Sequence, residues 1–236
     1  MLNIYQLYDC IKNIQTQVYP HRCLLCGQAG HAGLDLCPGC LAELPWQGKA
    51  CVCCGAPLEA QGERCGPCLR RPPPHQASFI PFVYRAPLDR LILGLKFQRQ
   101  LAAAPLLAQL MAQALEKHPI ARPDCLLAVP LHPRRIRERG FNQAGELARA
   151  LAGLTGIPLA EGLVRRARHT PMQTRLSGAE RRRNLRQAFV VDAAGLPTHI
   201  ALLDDVVTTG STVRELARCL IDAGVSRVDV WACARA

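Results

Sequence analysis

Four Cys-X-X-Cys pairs between residues 23 and 68 constrain the fold of this chain more than any other feature of its sequence. Ten residues separate each pair from the next, so the pattern repeats after 28 residues, with CLLCG at 23–27 matched by CVCCG at 51–55. Glycines beside the pairs let backbone amides point at sulfur atoms, as in four-cysteine zinc sites. We therefore predict two structural Zn²⁺ sites, whose ligands are Cys23, Cys26, Cys37, Cys40, Cys51, Cys54, Cys65 and Cys68.

The equal spacing leaves open which pairs share a metal ion. In a consecutive arrangement the first four cysteines form one site and the last four form the other, and an interleaved arrangement is the alternative. Because the two halves of each repeat differ in sequence, we favour the consecutive arrangement. The module has little apolar sequence of its own, so we expect it to need metal in order to fold.

The remaining sequence divides the chain into further parts. We predict a short helix within 1–22, the zinc module at 23–68, a proline-rich linker at 69–76 and a larger domain at 77–236. The 13 cysteines occur without a recognisable signal peptide, which argues against a disulfide framework. No apolar run approaches the roughly 20 residues that cross a bilayer. We expect a cytoplasmic protein, with a place at the inner face of the membrane as an alternative for the first helix.

The larger domain alternates apolar runs with amphipathic segments. The strand candidates are 78–85, 125–131, 163–167, 188–191, 199–205 and 226–234, and the main helix candidates are 87–100, 104–118, 142–156 and 211–224. Alternation of this length predicts the α/β class, with a parallel sheet covered by helices on both faces.

The stretch LLDDVVTTGST at 202–212 places two adjacent carboxylates where the strand 199–203 gives way to a helix. In open α/β sheets, ligands bind at this edge. A turn rich in hydroxyls and backbone N–H groups at a helix N-terminus can hold a phosphate, and its residues are Thr208, Thr209, Gly210, Ser211 and Thr212. Carboxylates beside that turn suit the vicinal hydroxyls of a ribose 5-phosphate. The alternative is an ordinary connection in which an aspartate caps the helix.

Positive charge is concentrated in one segment. The chain carries a net charge of +11, and residues 134–186 contribute 13 arginines and four glutamates, a local net charge of +9. Arginine suits phosphate because its planar fork donates two parallel hydrogen bonds. The segment predicts a surface that binds phosphate or nucleic acid, and a solvated arginine-rich face is the alternative. Aromatic residues make up 5% of the chain, so we expect base stacking to contribute little.

The aspartate stretch resembles the phosphoribosyl pyrophosphate (PRPP) signature of type I phosphoribosyltransferases. Together with VPLHPRRIRERGFNQA (129–144), QTRLSGAERRRNLRQAFVV (173–191) and the cysteine module, it resembles the ComF/GntX family from about residue 18 to 235. Members of that family join a zinc-ribbon head to a type I phosphoribosyltransferase-like domain. They are linked to natural competence, chiefly uptake and cytoplasmic handling of single-stranded DNA.

The resemblance implies roles for named residues. Asp204 and Asp205 would bind ribose hydroxyls, residues 208–212 the 5-phosphate, and Mg²⁺ would bridge pyrophosphate and ribose oxygens. The pyrophosphate loop would contain Leu131, His132, Arg134 and Arg135. A hood or nucleic-acid surface would contain Arg137, Arg139, Asn142, Gln143, Gln173, Arg181 and Asn184, although Asn142 equally suits a helix cap.

Two functions follow as hypotheses. The first is a competence-type protein that binds single-stranded DNA and a PRPP-like small molecule, with a competence helicase or another DNA-processing protein as a further partner. The second is an active phosphoribosyltransferase with an unknown acceptor. Because no segment after the last strand reads an acceptor base, we favour binding over catalysis, and the sequence assigns no catalytic residue.

Overall fold

A computed structural model describes residues 20–59, 62–118, 120–131, 133–166 and 188–236. The helices are α1 Pro38–Ala42, α2 Gly66–Arg70, α3 Leu88–Phe97, α4 Ala103–Glu116, α5 Pro133–Arg139, α6 Gln143–Thr155 and α7 Ser211–Asp222. The strands are β1 Ser78–Phe79, β2 Phe82–Val83, β3 Cys125–Ala128, β4 Val164–Arg166, β5 Phe189–Val191, β6 His199–Val207 and β7 Arg227–Arg235. The short helix predicted within 1–22 falls largely on residues 1–19, which lie outside the described residues.

The main sheet is parallel, as the strand and helix alternation predicts. Its order is β1-β7-β6-β3, and β2 also pairs with β7. The long strands β6 and β7 pair in register from His199 opposite Arg227 to Val207 opposite Arg235. Strands β4 and β5 form a separate antiparallel pair. The carboxyl ends of β3, β6 and β7 therefore meet at one edge of the sheet.

Helices cover both faces of this sheet. Ala201 and Leu203 of β6 pack into the core formed with α3, α4 and α6. Ile200 and Leu202 point to the opposite face, into the core formed with α7, β4 and β5. This alternation follows from the two-residue period of a strand and explains why β6 is apolar at all four positions from 200 to 203, between His199 and the aspartates.

The strand ends differ from the predicted ranges by one to three residues, and two of the strands differ in ways that matter for the architecture. The continuous strand expected at 78–85 is two short strands, because Pro81 lacks the N–H needed to continue a ladder and its carbonyl accepts a hydrogen bond from Gln47 N at 2.7 Å instead. Strand β6 extends to Val207, two residues beyond the predicted end. Asp204 and Asp205 lie within the strand, as the predicted range 199–205 already had them, and the turn begins after Val207.

The proline-rich linker is packed against the rest of the protein. Helix α2 reaches Arg70, and His75 is 4% exposed, with its Nε2 2.7 Å from the carbonyl of Cys53. Gln76 N donates to Val228 O at 3.0 Å. The linker therefore joins the cysteine module to β7. Within the described ranges, no helix has both the length and the apolar content to span a membrane.

Candidate functional site

The eight predicted metal ligands form two groups. In Cys23, Cys26, Cys37 and Cys40, and again in Cys51, Cys54, Cys65 and Cys68, the four sulfur atoms lie within 4.8 Å of one another. The Sγ atoms of Cys26 and Cys37 are 3.6 Å apart, as are those of Cys54 and Cys65. A tetrahedral zinc with Zn–S bonds of about 2.3 Å separates its sulfurs by about 3.8 Å. The structure groups the cysteines consecutively rather than interleaved, and both groups fit a double zinc ribbon.

The sequence repeat is also a repeat of hydrogen bonds. Cys23 N donates to Gln28 O at 2.8 Å, and 28 positions later Cys51 N donates to Ala56 O at 2.8 Å. Each first knuckle turns through a glycine with positive φ, Gly27 at 77° and Gly55 at 65°. The second Cys-X-X-Cys pair of each group begins a short helix, α1 or α2. The N-cap of that helix is the first cysteine of the pair, Cys37 or Cys65.

The cysteine thiols influence one another strongly. Although burial raises the pKa of Cys23, backbone N–H groups that bond to its sulfur lower it to about 6, and the equivalent contacts lower the pKa of Cys51 to about 6. Burial and the neighbouring thiols raise the pKa of Cys40 and of Cys68. One thiolate in each group thus opposes ionisation of the others. A divalent cation would remove that opposition, which is the chemistry expected of a metal site.

The two aspartates lie side by side at the end of β6 in different environments. Asp205 is 8% exposed, and its Oδ1 is 3.0 Å from Lys96 Nζ at the end of α3. Asp204 Oδ1 accepts a hydrogen bond from Asp205 N at 2.9 Å. Burial, followed by the charge of Asp205, raises the pKa of Asp204 to about 7. Lys96 is a site residue that the sequence prediction missed.

The raised pKa of Asp204 has a defined sign for stability. Its ordinary value is 3.8, so between that pH and about 7 the folded chain holds a proton that the unfolded chain has lost. The contribution of Asp204 to stability therefore falls as the pH rises through this range. A sugar hydroxyl or a cation at the carboxylate would favour the charged form and oppose this loss.

The turn predicted to bind a phosphate follows β6 and leads directly into α7. Gly210 has φ 72° and is the N-cap residue of α7, and Ser211 N in the first turn of that helix donates to Thr209 Oγ1 at 3.4 Å. Neither aspartate therefore caps this helix. Thr208 and Thr209 are exposed, Ser211 and Thr212 are half-buried, and Thr209 Oγ1 lies 3.0 Å from Ser211 Oγ. The N-terminus of a helix of three turns faces this turn with its positive end.

The loop after β3 leads into an arginine-rich helix. Leu131 is half-buried in that loop, and His132 lies outside the described residues. Arg134 is exposed and Arg135 half-buried, both within α5, a short helix that the sequence prediction did not include. The predicted loop is therefore shorter than expected, and its arginines follow one another around a helix.

Two arginines, Arg139 and Arg166, lie near the aspartates, and Arg135 lies near both of these arginines. After burial, the charge of Arg135 lowers the pKa of both Arg139 and Arg166. The charge of Asp205 raises the pKa of Arg139, and that of Asp204 raises the pKa of Arg166. The acidic pair is thus bordered by basic groups from α3, α5 and β4. Arg166, far from the aspartates in sequence, was not among the predicted site residues.

The remaining predicted surface residues fall into three situations. Arg137 is exposed on α5. Asn142 occupies the N-cap position of α6 but makes no capping bond, and its Nδ2 donates to Val129 O at 3.1 Å. Gln143 differs from the expected surface position, because it is 1% exposed and its Oε1 accepts from Arg139 Nη1 at 3.0 Å. Gln173, Arg181 and Asn184 lie outside the described residues.

The second cysteine group lies next to the turn between β6 and α7. Arg235 Nε donates to Cys54 O at 3.2 Å, and its Nη1 donates to Val207 O at 3.0 Å and to the carbonyl of Thr208. A cavity of about 220 Å³ lies between the two, lined in part by Cys54 and Gly210. Arg235 therefore joins the cysteine module to the turn, a role that its position near the end of the sequence did not suggest.

Comparisons with known proteins agree with both parts of this architecture. Residues 14–69 match the double zinc ribbon domain family. Competence protein F of Haemophilus influenzae is 36% identical over 223 residues, which cover 91% of this chain and 97% of that protein. DNA utilization protein YhgH of Escherichia coli K12 is also 36% identical over 223 residues, covering 92% and 97%. Competence protein ComFC of Streptococcus pneumoniae is 25% identical over 234 residues, covering 91% and 100%.

The similarity extends from the cysteine module through the parallel sheet, so it includes the aspartate strand, the turn and the arginine helix. At 36% identity over nearly the full length of its relatives, the chain belongs to the ComF family.

Proposed function

We propose that this chain takes part in DNA uptake or DNA utilization by binding a ribose 5-phosphate ligand of the PRPP type together with single-stranded DNA. The names of its relatives, competence protein F and DNA utilization protein, support the process. The chemistry of the sheet edge supports the ligands. A helicase or another DNA-processing protein of competence would act on the same strand.

One observation carries the sugar-phosphate part of the proposal: the acidic pair and a positive helix end lie on consecutive segments of one sheet edge. Asp204 and Asp205 lie near the end of β6, and Gly210 is the N-cap of α7, five residues after Asp205. The carboxylates would accept hydrogen bonds from the two ring hydroxyls of ribose. The turn would hold the 5-phosphate through backbone N–H groups and hydroxyls.

Basic residues at the β3 side would complete the site. The two residues are Arg135 and Arg139, and the charges of Asp205 and of Arg135 both act on Arg139. The two arginines would neutralise a pyrophosphate group. Mg²⁺ would enter with the ligand and be held mostly by ligand oxygens. Lys96 would hold the Asp205 carboxylate in place through their 3.0 Å ion pair while the ribose is absent.

The DNA part of the proposal is electrostatic. Helix α5 presents exposed Arg134 and Arg137 beside the same edge, and a segment of net charge +9 begins there. Binding that depends on phosphate neutralisation weakens steeply with salt, with a slope of about −0.7 per phosphate for single strands. We therefore expect single-stranded DNA binding to fall by orders of magnitude between about 50 and 200 mM salt if six or more phosphates are contacted.

Calorimetric titration of PRPP with Mg²⁺ into the zinc-replete full chain tests the proposal. The wild type should bind PRPP, and Asp204→Asn combined with Asp205→Asn should abolish that binding while single-stranded DNA binding persists. Asp192→Asn combined with Asp222→Asn is the matched control, since both carboxylates are exposed and lie away from the turn. Unchanged PRPP affinity in the first double variant would show that the ribose assignment is wrong.

A further inference from the structure

An exposed phenylalanine ends α3 next to the acidic pair. Phe97 is 66% exposed, whereas Leu88, Leu91, Ile92 and Leu95 of the same helix are at most 1% exposed. The helix is therefore anchored without Phe97, whose ring adds little to the core. Its chain neighbour Lys96 is the residue that contacts Asp205 at 3.0 Å. The ring thus lies one residue from the proposed ribose site.

A guanidinium group lies over this ring. Arg139 Cζ lies 5.3 Å from the centroid of Phe97, a cation–π distance. Arg139 is held in place by the buried Gln143, whose Oε1 accepts from its Nη1 at 3.0 Å. Arg99, with φ 53°, places its Nη2 3.8 Å from where a Cβ on Gly140 would lie, at the end of α5. The arginine helix and the end of α3 therefore form one surface.

The combination of an exposed aromatic face and fixed cations matches what single-stranded nucleic acid requires. Proteins that bind such strands stack bases on aromatic rings while basic groups follow the backbone. A purely apolar docking surface for a protein would exclude charge from its centre. Here Arg139 covers part of the ring itself, although Leu93 and Leu101 nearby are 40% and 51% exposed.

We propose that Phe97 is a stacking platform for one base of a single DNA strand whose phosphates lie along the arginines of α5. The inference rests on the proposed DNA binding and assigns a base contact to it. It also revises the expectation from composition that stacking contributes little, because one ring in the right place supplies a contact that an average over the chain conceals. Lys96 and Asp205 place the base beside the sugar-phosphate site.

Fluorescence anisotropy with two oligonucleotides of about 12 nucleotides, oligo-dT and an abasic strand with the same backbone, tests this proposal. Stacking of one base contributes about 1–3 kcal/mol, so Phe97→Ala should weaken oligo-dT binding roughly 5- to 100-fold. Binding of the abasic strand should not change. Phe97→Trp should retain or improve the affinity for oligo-dT. Leu154→Ala, at a 51% exposed site on α6, is the matched control and should change neither affinity.

Several outcomes would overturn the proposal. Unchanged oligo-dT affinity in Phe97→Ala would exclude a base contact, and equal losses for both strands would assign Phe97 to the fold or to backbone binding. Full affinity in Phe97→Leu would show an apolar contact rather than stacking. If the wild type bound neither strand, the proposed DNA binding itself would fall. Loss in Phe97→Ala for oligo-dT alone, with rescue by Phe97→Trp, supports the platform even if Phe97→Ala lowers the melting temperature.

Discussion

The protein has two four-cysteine units, the first around residues 23–40 and the second around residues 51–68. They repeat the same local structure but are attached to the rest of the chain by different forces. The first unit buries Leu34, Leu36 and Leu44 at 5% exposure or less in the core that also contains α3 and α4. Its fold is therefore supported by the hydrophobic core of the larger domain as well as by any metal.

The second unit has a much smaller apolar contribution. Among the described residues, its buried cluster consists of Cys51, Cys53 and Cys68. Polar contacts hold it: the carbonyl of Cys53 accepts from Ser78 Oγ at 2.6 Å, and that of Cys54 accepts from Arg235 Nε at 3.2 Å. Equal sequence spacing thus accompanies the same turn hydrogen bonds and glycine conformations in both units. What stabilises each unit depends on the residues that it contacts elsewhere in the protein.

The largest test of this difference is metal removal. Structural zinc supplies about 10–16 kcal/mol of apparent folding free energy in isolated zinc fingers. A chelator should therefore expose the backbone amides of 51–68 to hydrogen exchange well before those of 31–44, which the domain core still restrains. Mass-resolved hydrogen exchange on the full chain measures both segments together. Simultaneous loss of protection in the two segments would contradict the comparison.

A pair of core truncations gives an intermediate effect. Leu36→Ala removes a fully buried side chain from the shared core, so we expect it to lower the free energy of unfolding by about 2–5 kcal/mol. Leu58→Ala removes a half-buried side chain from the second unit and should lower it by about 1 kcal/mol or less. Chemical denaturation of zinc-replete protein compares them. Similar values for the two variants would mean that both units draw on the core equally.

An effect smaller than that of Leu36→Ala, and confined to one region, is expected from the polar anchor of the second unit. Arg235→Met keeps most of the side-chain length but removes the donors to Cys54 and to the turn, and should cost about 1–2 kcal/mol locally. Hydrogen exchange should rise at 51–56 and at 207–210 while the exchange of 31–44 stays unchanged. An equal rise in the first unit would show that Arg235 supports the whole fold.

Local sequence patterns predicted much of this structure. The period of the cysteines indicated two sites, the alternating apolar runs indicated the parallel sheet, and the glycine after VVTT indicated where α7 begins. Each of these features is determined by residues close together in the chain. For these features the local sequence pattern is the same as the physical constraint that determines the local structure.

Contacts between distant segments were not predictable in the same way. Lys96 forms an ion pair with Asp205, and the charge of Asp204 raises the pKa of Arg166. Both contacts exist because the packing of α3 and β4 brings the basic residues to the sheet edge. Gln143 was expected on a surface, but the start of α6 is buried and the side chain supports Arg139 from below. Such pairs have no characteristic spacing in the sequence. A lysine in an amphipathic helix is equally compatible with a solvent-exposed position.

The extension of β6 through its aspartates has a consequence for ligand binding. Asp204 pairs with Ala232 and Val206 with Ala234 in the ladder with β7. The backbone around both carboxylates is therefore fixed when the protein folds, and its conformational entropy is lost at that stage. A ribose bound as proposed would meet a preorganised pair of acceptors, so the free energy of their hydrogen bonds would be available for affinity instead of for ordering a loop.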